Sequence, residues 1–194
     1  VTIPSNTLMT GLGSFTVQAW VFPTTPEKGT QGLVSNWDEV GTCGFALVLD
    51  DDGAAAMRLG DGSGGIVEAT TGKPLAKRRW HLVSAAYDAE AGTICVSQDF
   101  IGPQFEVSTS ASTTVSVGFT PAMASAQPLI MVAMPATHPA GRPAAGHPFN
   151  GKLDRPRLVG RALSLTDSAA LGWDALPHER DLSVIAAWDF SREI

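Results

Sequence analysis

Few side chains in this 194-residue sequence sit in patterns that could do chemistry. Trp37-Asp38-Glu39 sets an aromatic ring beside two carboxylates, the combination that stacks on a sugar ring and hydrogen-bonds its hydroxyls, so Trp37 and Asp38 are the candidate ligand-binding residues. The bland assignment makes Trp37 a core residue at a strand end. Asp50, Asp51 and Asp52 precede Gly53 and offer the oxygen ligands calcium takes, yet such a run is first of all a solvated hairpin turn. Asp154 shares strand parity with Pro156 and Leu158, which points its carboxylate inward. There it needs a partner: backbone N–H groups of the Asn150-Gly151 turn, the Trp80 indole, His81 or a structural calcium ion, with a protein hydrogen bond expected ahead of the metal. Glu179-Arg180-Asp181 comes nearest to the paired carboxylates of glycoside hydrolysis, but it reads as loop beside Pro177-His178. His138 and His147 fall in a Pro- and Gly-bearing loop over residues 135–148 and are expected to be solvated. No G-x-S-x-G, H-E-x-x-H or phosphate-loop motif occurs, so no catalytic residue is assigned and no cofactor is expected.

The elements that must position these residues are short strands. Residues 15–23 alternate cleanly, Phe15, Val17, Ala19 and Val21 on one face and Thr16, Gln18 and Trp20 on the other, a face open to a ligand or to a neighbouring domain. Strands are expected at 1–3, 32–37, 45–49, 54–59, 66–69, 80–87, 93–98, 105–108, 115–119, 129–133 and 183–188. The stretch 80–87 is apolar at nearly every position, as in a central strand covered on both sides. Residues 149–163 hold a turn, a strand and a second turn. Asn150-Gly151 supplies two residues tolerant of positive φ, Arg155 and Arg157 share one face, and Pro156, which cannot donate to a ladder, demands an edge or a bulge. Ser164 to Thr166 offer N-caps for a helical turn at 168–171.

Apolar residues at 44% and charged residues at 16% describe a globular chain, and the length suits one domain over 1–194. A net charge of −6 removes the basic face that nucleic acid or an anionic membrane requires as partner. Cys43 and Cys95 are too few for a disulfide scaffold and read as small buried hydrophobes. The chain opens without Met inside an apparent strand and ends just past another, which suggests a module cut from a longer chain. Strands at turn-punctuated spacing, with no long amphipathic helix, give the fold class: all-β, a two-sheet antiparallel sandwich, with a closed barrel as the alternative.

In order along the chain, Phe15-Thr16-Val17-Gln18-Ala19-Trp20-Val21, Trp80-His81-Leu82-Val83 with Tyr87-Asp88, the strand 93–98, Phe149-Asn150-Gly151-Lys152-Leu153-Asp154 and Arg161-Ala162-Leu163-Ser164 resemble the laminin-G-like, concanavalin A-like lectin/glucanase jelly roll. The second hairpin departs from that family by Gln98-Asp99 in place of Asp-Gly, and Pro156 is unusual in its strand. Glycosidases of this fold carry E-x-D-x-E or E-x-D-x-x-E along one strand, a pattern absent from this sequence. The ending 186–194 resembles the junction between such a jelly roll and the catalytic part of N,N-dimethylformamidase-like large subunits. That resemblance implies an accessory domain, since the family's iron is held by tyrosines and a glutamate elsewhere in the chain and Tyr87 is the only tyrosine here. The expected partners are therefore other domains or subunits of a larger bacterial-type enzyme, with a glycan as the alternative.

Overall fold

The computed structural model describes residues 1–4, 11–102, 107–137, 143–174 and 177–190. Fourteen strands occur among the described residues: β1 (Thr2–Ile3), β2 (Phe15–Pro23), β3 (Gln31–Asp38), β4 (Cys43–Leu49), β5 (Ala54–Asp61), β6 (Ile66–Pro74), β7 (Trp80–Asp88), β8 (Thr93–Ile101), β9 (Ala111–Ser116), β10 (Leu129–Met131), β11 (Met134–Thr137), β12 (Pro143–Gly146), β13 (Gly151–Val159) and β14 (Val184–Ala187). Helix α1 (Leu165–Trp173) and the single turn α2 (Pro177–Arg180) lie between β13 and β14. One six-stranded sheet runs β1-β10-β3-β4-β5-β6, the other β14-β13-β2-β7-β8-β9, and every pairing is antiparallel. β11 and β12 form a separate hairpin.

The core follows from the alternation of β2. Phe15, Val17, Ala19 and Val21 are fully buried against Phe45, Leu47 and Leu49 of β4 and Val83, Ala85 and Tyr87 of β7. Phe15 meets Phe45 with ring centroids 5.1 Å apart. Each such large side chain contributes about 1.5–3 kcal/mol by leaving water, so a handful of facing pairs holds the sheets together.

β13 bears out the bulge expected from Pro156. The strand is interior, paired to both β14 and β2, and its register slips between Asp154 and Arg157, where Arg155 takes φ +45°. The slip overturns the parity argument for Asp154. Leu153 lies opposite the buried Val21, and Asp154 opposite Trp20 on the outer face. Leu158 turns inward only because the bulge resets the count.

Positive φ is not what Asn150-Gly151 contributes: neither residue adopts it, and the left-handed residue before β13 is His147, at φ +48°. Gly151 is required for close approach, since a Cβ there would stand 2.3 Å from the Phe22 carbonyl oxygen.

Other expectations shift in detail. β9 covers Ala111–Ser116 rather than 115–119, pairing with β8 through Thr113 and Val115. Of the strand expected at 105–108, residues 105 and 106 lie outside the described residues, and 107 and 108 are not strand. The expected loop 135–148 contains the β11–β12 hairpin, with His138 outside the described residues. β6 runs on to Pro74 because it is an edge strand, where Glu68 and Thr70 face solvent without penalty. The helical turn expected at 168–171 is the longer α1, capped by Ser164, whose side chain accepts the Asp167 N–H. Cys43 and Cys95 are free but only half-buried, so neither is the core hydrophobe expected.

Candidate functional site

Trp37 closes β3 opposite Gly44 and is 1% exposed. Its ring packs with Ala46, Val48, Ala56 and Met134, its indole N–H donates to Glu39 Oε2 at 2.6 Å, and the Arg58 guanidinium lies 5.9 Å from the ring centroid. Arg58 is held there by Glu68 at 2.8 Å. Trp37 is thus a buried anchor, with no open face to stack on a sugar. The Asp38 carboxylate accepts the Val40 N–H at 3.1 Å, closing its own turn. The adjoining cleft, about 510 Å³, is lined instead by Thr30, Glu39, Arg58, Met134 and His147. Arg58 and Met134 carry no signal in sequence because the β5 and β11 pairings bring them there.

Two of the aspartates at 50–52 spend their oxygens on protein donors. Asp50 accepts from the Asp52 and Ala54 N–H groups and from the Thr70 hydroxyl. Asp51 accepts both the N–H and hydroxyl of Thr30, which hold its carboxyl below the usual range. Among the described residues no three His, Cys, Asp or Glu side chains cluster as metal ligands.

On the second sheet the outer face of β2 is covered by the chain's own helix. Thr16 donates to the Arg161 carbonyl and accepts the Leu163 N–H, both at 2.8 Å. Ser168 Oγ donates to Gln18 Oε1 at 2.8 Å and lies 2.7 Å from Ser84 Oγ, and the Trp20 indole donates to the Gly172 carbonyl at 2.9 Å. The face expected to lie open to a ligand or a neighbouring domain is instead taken by α1 of the same chain.

Beyond the end of α1 this face stays open. Trp173 meets Trp20 edge-on, centroids 4.6 Å apart, and is itself 61% exposed. With Trp80, Ile101, Asp154 and Arg155 they line an apolar cleft of about 210 Å³. Asp154, a third exposed, accepts the Arg155 N–H at 2.8 Å, so its carboxylate is not the costly buried charge anticipated.

Arg155 also borders a second cleft, about 280 Å³, with Arg157, Pro177, His178, Ala187 and Trp188. Arg157 is 3% exposed; its Nη2 donates to the Asp174 carbonyl, and its Nη1 has no partner. Burial, and secondarily the Arg155 charge, push its pKa down. Glu179, which also lines this cleft, is an exposed residue of α2, whereas Asp181 is spent on structure. Ser183 and Arg161 hold its carboxyl at about 2, ionised and unsuited to donate a proton near neutral pH.

Two six-stranded antiparallel sheets with a helix folded onto one outer face define a lectin-type jelly roll. The chain belongs to the concanavalin A-like lectin/glucanases superfamily, whose laminin-G-type model matches residues 1–167. It is 34% identical over 192 residues to the N,N-dimethylformamidase beta subunit of Paracoccus aminophilus, and 28% identical over 190 residues to that of an Alcaligenes species. Each match covers 94% of this chain and 24% of the relative, so the chain spans about a quarter of the length of those curated relatives. Among solved structures it resembles the carbohydrate-binding module of a Ruminococcus gnavus sialidase bound to α2,3-sialyllactose (TM-score 0.62, 17% identity, 89% of this chain and 95% of that one). A carbohydrate-binding protein candidate from Bacteroides ovatus aligns with TM-score 0.64 and 16% identity, covering 97% of this chain and 48% of that one. At such identities these two comparisons speak to the fold.

Proposed function

We propose that this chain is a non-catalytic accessory domain of a larger amidohydrolase of the N,N-dimethylformamidase type, packing against other domains or subunits of that enzyme. One observation carries the reading: identity of 34% runs along 94% of the chain yet falls on a 24% slice of the relative. The site chemistry agrees with it, since Asp181, one of the two carboxylates nearest to a glycosidase pair, is taken up by Arg161 and Ser183. The test is a hybrid in which this chain replaces the matched quarter of the Paracoccus aminophilus relative. The hybrid should fold and keep hydrolysing N,N-dimethylformamide; a folded hybrid without activity would sink the equivalence.

A glycan-binding module is the second reading, favoured by the cleft under the exposed Trp173 rather than by Trp37. Its test is a glycan array on which Trp173→Ala should abolish whatever the chain retains. No retention on any glycan removes this reading.

A further inference from the structure

On the outer face of the second sheet α1 covers only part of the strands. The helix is seated closely: a Cβ at Gly172 would stand 2.4 Å from Leu82 Cδ2, and the Gly172 carbonyl takes the Trp20 indole N–H at 2.9 Å. Trp173, the last residue of that helix, is thereby held in place with 61% of its surface exposed. Beside it Trp20 of β2, Trp80 of β7 and Ile101 of β8 line the cleft of about 210 Å³, and Ile101 is itself 41% exposed. Phe22, two residues on from Trp20 along β2, extends the patch, its ring centroid 5.4 Å from that of Trp80. Single exposed apolar side chains are ordinary on any protein, whereas a contiguous aromatic patch on a fixed backbone marks a contact surface. Tryptophan is among the side chains that most often dominate such contacts.

The chemistry of the patch narrows what covers it. A sugar needs donors and acceptors for its hydroxyls, yet Trp20 Nε1 already donates to Gly172 and Asp154 already accepts the Arg155 N–H. An apolar side chain fits better, since a cavity of about 150 Å³ holds a benzene ring and this cleft is larger. Asp99 adds a charge at the rim. It precedes Ile101 by two residues on the same face of β8, roughly 7 Å along the strand. Burial pushes its carboxyl pKa up, and no hydrogen bond or ion pair to that carboxylate occurs among the described residues. Such a group favours an occupant that brings a cation. A second copy of the chain fits less well, because it brings a further net charge of −6. Chain enough to supply the occupant exists in the relatives, of which this domain matches 24%.

We propose that the face formed by Trp20, Trp80, Ile101 and Trp173 is a docking surface for a segment of the longer protein, which seats one aliphatic or aromatic side chain in the cleft and places a Lys or Arg beside Asp99. The choice of occupant rests on the accessory-domain reading, whose contact surface this would be.

The test places the photo-reactive residue p-benzoylphenylalanine at position 173 of the longer protein and maps its adducts by mass spectrometry. Adducts should fall on a segment outside residues 1–194 that carries Leu, Ile, Met or Phe within a few positions of Lys or Arg. Hydrogen exchange supplies a second readout: amides of β8 and of the end of α1 should exchange more slowly in the longer protein than in the 194-residue chain. Trp173→Ala should remove at least about tenfold of that added protection, and Asp99→Lys a comparable share, with the exchange of the chain alone left nearly as it was. Adducts confined to residues 1–194, on the same copy or a second one, or no adduct at all, overturn the docking surface. So does equal protection of the chain and the longer protein. Retention of the chain on a glycan array that Trp173→Ala abolishes assigns the cleft to a sugar and overturns it as well. Dimethylamine release is read separately. A longer protein that docks this face yet hydrolyses no amide loses the amidohydrolase reading alone, and an active one with the face open loses the docking surface alone.

Discussion

His81 is the residue whose chemistry is most constrained. It is fully buried in β7, with Nδ1 3.1 Å from the Arg79 carbonyl and Nε2 2.7 Å from the Thr109 hydroxyl. A carbonyl can only accept, so Nδ1 carries the proton and Nε2 accepts from Thr109, with the Ala76 N–H also pointing at it. Burial lowers the imidazole from 6.5 to about 4. The unfolded chain therefore takes up a proton as pH falls through 6.5 while the native state refuses it until about 4. Stability should fall by about 3 kcal/mol across that window and level off below it. Chemical denaturation at pH 7, 5.5 and 4 checks this, and His81→Gln should flatten the slope. At Trp37 the same scale separates stability from binding. Trp37→Ala should cost roughly 3–5 kcal/mol as a core truncation, read as a lower urea midpoint, whereas Trp173→Ala on the open surface should leave the midpoint nearly unchanged.

Among the elements, α1 decides what the second sheet can present. Its attachment combines Leu171, buried with Val159, Leu163 and Val184, with polar contacts of Ser168 to Gln18 and Ser84. Ser168→Ala leaves Gln18 Oε1 buried without that donor, beside a Gln18 Nε2 that already has no partner, and should cost about 1–3 kcal/mol with α1 amides losing hydrogen-exchange protection first. In β4, Gly44 takes φ +93°, and a Cβ there would stand 1.9 Å from the Asn36 carbonyl oxygen. Gly44→Ala should therefore cost roughly 3 kcal/mol by forcing β3 and β4 apart. Much of this element order was legible, because the period-2 pattern of 15–23 and the turn residues around 50–53 follow from local chemistry. Pro156 likewise announced its bulge, since a missing N–H is a local fact. What the bulge did to Asp154 was not legible: parity counted through an unseen register shift returns the wrong face. The β11–β12 hairpin escaped for a related reason, as Pro135 and Pro143 suppress the strand signal while the pairing between them supplies the structure.

At the scale of the molecule, the sandwich and its family could be read from motif order, since four short strands in sequence restrict the topology more than any one of them. The candidate site could not be. Trp37-Asp38 drew attention as adjacent residues, but adjacency along a strand puts consecutive side chains on opposite faces. The clefts at the bulge unite β2, β7 and β13, and further along β13, β14 and α2, contacts without local signature. The proposed accessory role would make this domain a partner in amide hydrolysis rather than its agent. The most direct measurement is dimethylamine release from N,N-dimethylformamide, assayed side by side for the longer protein and the 194-residue chain at equal molar concentration. The account predicts turnover by the longer protein and a rate for the chain equal to buffer alone. Turnover by the chain itself, or an inert longer protein that is folded and complete in subunits, would contradict it.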